Sequence, residues 1–159
     1  MRRFYPAFIG MPGSVGLLVL RLVAGSALML HGWPKMQSPF AWMGTDAPVP
    51  GFLQALAALS EFGGGLAMLI GLLTPLACLG ILATMGTAVT MVHLAKGDPF
   101  VAPHGWQGGS YELALVYFSV ALTVLLAGPG KLCVDYLLLG RPSEQKSETE
   151  KKPEVPTSA

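Results

Sequence analysis

EFGGGLAMLIGLLTPLACLGILATMGTAVTMVH, residues 61–93, holds no formal charge between its first and last residues, a run of 31 positions broken only at Leu73-Thr74-Pro75. As one helix the run is far too long for a single crossing of a hydrocarbon core about 30 Å thick, which takes about 20 residues. Divided at Pro75 it becomes two crossings joined by a turn too short to leave the membrane surface. The stretch therefore predicts an all-α, polytopic membrane protein. It also directs attention to the few ionisable residues inside apolar segments, because such groups are expensive in a bilayer and mark function.

Composition points the same way. Charged residues make up 12 % and apolar residues 52 %, against about 25 % charged in soluble domains. Of the nineteen charges, eight fall in residues 141–159. That tail, with no aromatic residue and one Val, is too polar to order itself and reads as a disordered, charged cytoplasmic extension. Residues 1–140 form the transmembrane domain. A net charge of +1 gives no reason to expect nucleic acid. Two cysteines, Cys78 and Cys133, are too few and too distant for a disulfide framework or a metal motif. They read as reduced packing residues.

Working outward, the first apolar segment runs from about Gly13 to Leu30 and stops at His31-Gly32-Trp33-Pro34, where an interfacial Trp meets a helix-stopping Pro. The second runs from Gly51 to about Leu73, the third from Pro75 to about Ala95, and the fourth from Ser110 to Gly128-Pro129-Gly130. The expectation is a bundle of four transmembrane helices. The Pro-rich piece 34–51 reads as an interfacial or re-entrant connection. Arg21 within the first segment argues against a cleaved signal peptide. Seven Lys and Arg lie on the side of the termini and two, Lys35 and Lys96, on the other. Positive-inside bias then places both termini in the cytoplasm of a multi-pass inner-membrane protein.

Two polar constellations follow. Counted inward from the non-cytoplasmic surface, Arg21 lies ten residues before His31 and Glu61 nine after Phe52, so both sit about 15 Å deep at 1.5 Å per residue. Opposite charges at one depth predict a buried Arg21–Glu61 ion pair. Gly64, Gly65 and Met68 share the face of Glu61, and Gly63, Ala67 and Gly71 make a neighbouring ridge of small residues suited to close helix packing. The second constellation is a layer of His31, His93, Lys96 and Glu112 at the non-cytoplasmic helix ends, with Lys35, Asp46, Asp98 and His104 in the loops. Lys35, Lys96 and Asp98 there fit an ordinary solvated rim. His31, Lys35, His93 and Glu112 are the candidates for binding a polar head group or exchanging protons. No pair in the layer has metal-ligand spacing, so no metal is expected. Glu112, Ser119 and Thr123 share one face of the fourth helix, as backbone-bonding hydroxyls or as the wall of a polar path.

Taken in order, Leu20-Arg21-Leu22-Val23, His31-Gly32-Trp33-Pro34-Lys35, Glu61-Phe62-Gly63-Gly64-Gly65, Gly71-Leu72-Leu73-Thr74-Pro75, Val92-His93, Tyr111-Glu112-Leu113 and Gly128-Pro129-Gly130 resemble the DoxX family of small bacterial and archaeal membrane proteins. The resemblance covers about Ser14 to Leu139 and implies a four-helix membrane bundle. The family name comes from a membrane subunit of a thiosulfate:quinone oxidoreductase, and relatives are associated with respiratory or redox-defence complexes. It implies a subunit or accessory factor of a quinone-linked system, with quinone as the lipid-soluble ligand and a redox subunit or a second copy as partner. By position, Arg21, His31, Lys35, Glu61, His93 and Glu112 match the family's recurrent polar sites. No haem-ligand pair, flavin motif or cluster-binding cysteine set is present in the sequence. The residues leave two other classes open: a transporter of a small solute or proton, and a structural anchor without chemistry of its own.

Overall fold

The computed structural model describes residues 9–44, 47 and 49–139. The charged tail and the Asp46 position lie outside them. The described residues contain helices and no strands: α1 (Met11–Met36), α2 (Gly51–Ile70), α3 (Thr74–Thr87) continuing as a π-helix (Ala88–Leu94), α4 (Glu112–Ala127) and the short α5 (Val134–Leu139). Three stretches, Met11–Met36, Gly51–Ile70 and Thr74–Leu94, are long and apolar enough to cross a membrane. The helix α4, with 16 residues, is apolar but shorter.

Most large apolar side chains face outward. Val23 (68 %), Leu30 (71 %) and Met91 (72 %) are exposed, whereas the core holds a narrow seam of Leu28, Met68, Cys78, Ile81, Ala121 and Val124. In water such a surface would aggregate; in a bilayer it is the lipid-facing coat.

The seam between α1 and α2 is set by glycine. A Cβ on Gly65 would lie 2.7 Å from the backbone nitrogen of Met29 and 2.8 Å from the carbonyl oxygen of Gly25. One on Gly32 would lie 2.8 Å from the Cα of Phe62. Backbones at this distance have no room for side chains, the packing mode that small residues permit between membrane helices. Gly64 faces Ile81 of α3 instead, and Gly63 meets only Leu59 of its own helix. The ridge read from the sequence on α2 is therefore half of the story; α1 supplies the matching glycines.

The helix α1 passes the expected stop and ends at Met36, with Pro34 inside it. A proline so near the end forfeits one intrahelical hydrogen bond, and Gln37 and Ser38 close the last turn onto the carbonyls of Pro34 and Lys35. Residues 37–43 then turn back without forming a helix. They are held by the buried Gln54, whose carboxamide accepts from Met43 N–H and donates to the Val49 carbonyl, while its own carbonyl accepts from the Trp42 indole at 2.9 Å.

At the opposite end lies the turn that opened the sequence argument. Gly71 (φ 70°) ends α2 in the left-handed conformation, and Leu73 (φ 49°) is the one described non-glycine residue with positive φ. Asp135 of α5 secures this turn. Its carboxylate accepts from Leu73 N–H at 2.8 Å, Thr74 N–H at 2.9 Å and the Thr74 hydroxyl at 2.7 Å. It thus caps the first turn of α3 from across the fold, where helix N–H groups have no intrahelical partner.

Candidate functional site

Arg21 and Glu61 do not meet, which corrects the ion pair expected from their depths. The Arg21 guanidinium donates to four backbone carbonyls: Met68 at 2.8 Å, Leu69 at 3.3 Å, Pro129 at 2.7 Å and Leu132 at 3.1 Å. Met68 and Leu69 stand in the last turn of α2, where carbonyls lack helical partners. Arg21 is a C-terminal cap for α2 and a clasp on the segment leading to α5. Glu61 lies seven residues before Met68, about 10 Å along α2. The depth estimate failed because α1 runs five residues past His31, and because the antiparallel register set at Gly32–Phe62 and Gly25–Gly65 carries Arg21 to the far end of α2.

The hairpin end holds further titratable groups. Arg21 (1 % exposed), Asp135 (2 %) and Cys133 (7 %) cluster there. Burial pushes the Cys133 thiol up, which keeps it protonated to donate to Gly130 O while Tyr136 N–H donates to its sulfur. Sequence reasoning missed Asp135 because the Gly128-Pro129-Gly130 break reads as an exit from the membrane rather than a fold-back. The polar groups of this cluster are saturated by the protein itself. It is a fastening.

Glu61 instead pairs with Lys35. The ammonium lies 2.6 Å from both carboxylate oxygens, with Glu61 5 % and Lys35 25 % exposed, and stands 4.5 Å from the centre of the Trp42 ring. The continuation of α1 through Pro34 delivers Lys35 to this position, and the Gln54-held turn places Trp42 over it. Lys35 belongs to the site rather than to a solvated rim. A bidentate, largely dry pair is worth more than a surface bridge.

The two are predicted to be one energetic unit. Lys35→Met and Glu61→Gln should each destabilise the protein by about 2 kcal/mol, while the double variant should lose much less than the sum, a coupling on the order of 1–2 kcal/mol. Arg21→Met with Glu61→Gln should be additive. Thermal midpoints of the purified variants in mild detergent check both cycles. Additivity for Lys35 and Glu61 would refute the pairing.

This pair lines one side of a cleft of about 290 Å³. His31, His93, Ser110 and Tyr117 add polar edges, and Leu28, Met85, Ala88 and Leu113 supply apolar wall. His31 stands edge-on to Tyr117, centroids 6.1 Å apart and planes at 70°. His93 sits in the π-helix, a wider winding that recurs at functional sites, and its Nδ1 lies 2.8 Å from Oδ2 of Asp98. Of the sequence candidates, the structure brings His31, Lys35, His93 and Glu61 together and leaves Glu112 out. Glu112 is exposed and borders a separate groove of about 300 Å³ with Ser119 and Thr123. Both of those hydroxyls donate to carbonyls one turn back in α4. Tyr117 went unnoticed, an ordinary aromatic in an apolar helix, and Asp98, assigned from the sequence to the solvated rim, instead bonds His93.

The arrangement combines a charge pair, two imidazoles and a phenol with an apolar floor. Such a cleft suits a small molecule with a polar head and an apolar body.

The family model described as DoxX matches residues 16–94. The chain is 31 % identical over 130 residues to the inner membrane protein YqjF of Escherichia coli (strain K12), covering 79 % of this chain and 93 % of that one. It is 30 % identical over 121 residues to an uncharacterized protein of Haemophilus influenzae, covering 75 % and 87 %. No solved structure matches it.

Proposed function

Because the chain belongs to the DoxX family, we propose that it is an inner-membrane protein that binds the head of a lipid-soluble quinone in this cleft, as a subunit or accessory factor of a quinone-linked redox system. In this reading α1, α2, the α3–π stretch and α4 all cross the membrane, with both termini and the hairpin in the cytoplasm and the cleft near the outer leaflet. Seven Lys and Arg on the side of the termini against two on the other support that orientation. The name of the Escherichia coli relative supports the inner membrane.

The observation that carries the reading is the cleft itself: Lys35–Glu61, His31, His93 and Tyr117 offer donors and acceptors to one ring, and the Leu28–Met85 wall accepts its apolar part. Binding is favoured over passage of a solute. Beyond Leu28 and Met85 the fold is closed by Met68, Cys78, Ile81, Ala121 and Val124 in mutual contact. In this reading electrons come from a partner subunit. Purification in mild detergent, followed by solvent extraction and mass spectrometry, tests it. Quinone should be recovered near one equivalent from the parent and at least about fivefold less from Glu61→Gln, given the worth of one charge-assisted hydrogen bond. Recovery of phospholipid alone would sink the proposal.

A further inference from the structure

Within the cleft, one ring is prepared differently from the others. Asp98 Oδ2 lies 2.8 Å from His93 Nδ1. An ionised carboxylate only accepts hydrogen bonds, so the proton between them belongs to Nδ1. The same edge is closed by the chain: a Cβ added at Gly109 would lie 2.9 Å from that oxygen and 3.2 Å from both Nδ1 and Cε1 of the ring. The other nitrogen, Nε2, has no hydrogen-bonding partner among the described residues and is not sealed from its surroundings. With the Nδ1–Cε1 edge taken, Nε2 is the ring nitrogen left to serve the cleft that the ring lines. In a neutral imidazole with Nδ1–H engaged, Nε2 carries a lone pair and no proton.

We infer that Asp98 and Gly109 lock His93 as a hydrogen-bond acceptor, and that the cleft therefore selects a ligand bearing a ring hydroxyl over the same ring bearing only carbonyls. The inference rests on the cleft reading above and sharpens it: the reduced, dihydroxy form of the head group binds in preference to the oxidised diketone. A hydroxyl donates to Nε2 and keeps its proton. A carbonyl oxygen there meets another lone pair. Lys35 with Glu61, His31 and Tyr117 line the same cleft. The Lys35 ammonium is a donor engaged by both Glu61 oxygens, and it serves a ligand acceptor of either form alike, so the discrimination lies at His93. Asp98 is a positioning residue: it touches the imidazole, and the imidazole touches the ligand. The π-helical winding at Ala88–Leu94 is what brings the ring and the residue five positions later to one edge.

The test uses the full chain in lipid nanodiscs with ¹⁵N-labelled histidine; only three histidines contribute signals, and His93→Gln assigns the one that matters. The expected spectrum at neutral pH shows His93 protonated at Nδ1 and unprotonated at Nε2. Partition of decylubiquinol and decylubiquinone between protein-loaded and empty nanodiscs then gives the preference, expected at about tenfold for the quinol, the worth of one hydrogen bond. Asp98→Asn, whose amide can offer either an acceptor or a donor to Nδ1, should mix the tautomers and shrink the preference to within about twofold. Gly109→Ala, which displaces the carboxylate, should do the same if Asp98→Asn does not fold. A proton on Nε2, or equal or tighter binding of the quinone by the parent, overturns the inference and leaves the cleft reading standing. Binding of neither probe overturns both.

Discussion

Arg21→Met is expected to abolish accumulation of the folded protein, or to lower its stability by about 5 kcal/mol where any is recovered, a large share of the ~5–15 kcal/mol that holds a typical domain together. The side chain is 1 % exposed and satisfies carbonyls from α2 and from the segment after α4. Removing it strands several of them where neither water nor another donor reaches, at roughly 1–3 kcal/mol each before relaxation. Arg21→Lys should recover less than half of the loss. A lysine has three donors on one atom, whereas these acceptors are spread around the planar fork of a guanidinium. Folded yield by size exclusion and the thermal midpoint in mild detergent measure both. Rescue of Arg21→Met by Glu61→Gln would restore the ion pair that the structure rejects.

Glycine supplies the second large effect, and its sign depends on position. Alanine normally stabilises a helix interior by about 1 kcal/mol over glycine. At Gly16, where an added Cβ meets nothing within 4 Å, that gain should appear as an unchanged or slightly raised thermal midpoint. At Gly32 the same methyl would drive into the backbone of Phe62, 2.8 Å from its Cα. Helices in a seam cannot yield by rotating one side chain, so Gly32→Ala should lose about 3 kcal/mol or more despite its better propensity. Because this seam also sets Lys35 beside Glu61, Gly32→Ala should disturb that pair along with stability. A Gly32→Ala protein as stable as the Gly16→Ala protein would show that α1 and α2 do not touch as described.

What the sequence disclosed and what it hid divide along physical lines. The apolar runs, the break at Thr74-Pro75 and the glycines beside Glu61 were legible because a bilayer imposes length and polarity directly on composition. Four of the six candidate residues, His31, Lys35, Glu61 and His93, do converge. Their pairing was hidden. Arg21 bonds to carbonyls, and a carbonyl has no identity in a sequence, so the search for a partner found the nearest opposite charge instead. Lys35 appeared to lie outside the helix because Pro34 reads as a stop, yet a proline two positions before a helix end costs only one hydrogen bond. Glu112 matched the layer in depth and failed in azimuth: it opens α4 on the side away from the cleft. Asp98 sat in a loop, where spacing rules for helices and strands give no guidance.

The cap on α3 has a consequence for the order in which the chain is made. Leu73 and Thr74 leave the ribosome 62 and 61 residues ahead of Asp135, the residue that satisfies their N–H groups. Until Asp135 has been synthesised, the α2–α3 hairpin sits at the membrane with the first turn of α3 open to water, and until Pro129 and Leu132 have been, Arg21 lacks two of its four acceptors. Insertion of the early helices and completion of their fold are thus separate events, the second timed by the arrival of α5. A ribosome stalled before Asp135 would hold a chain whose early helices are made yet unfastened at this turn, a form in which quality-control proteases could tell an unfinished copy from a finished one.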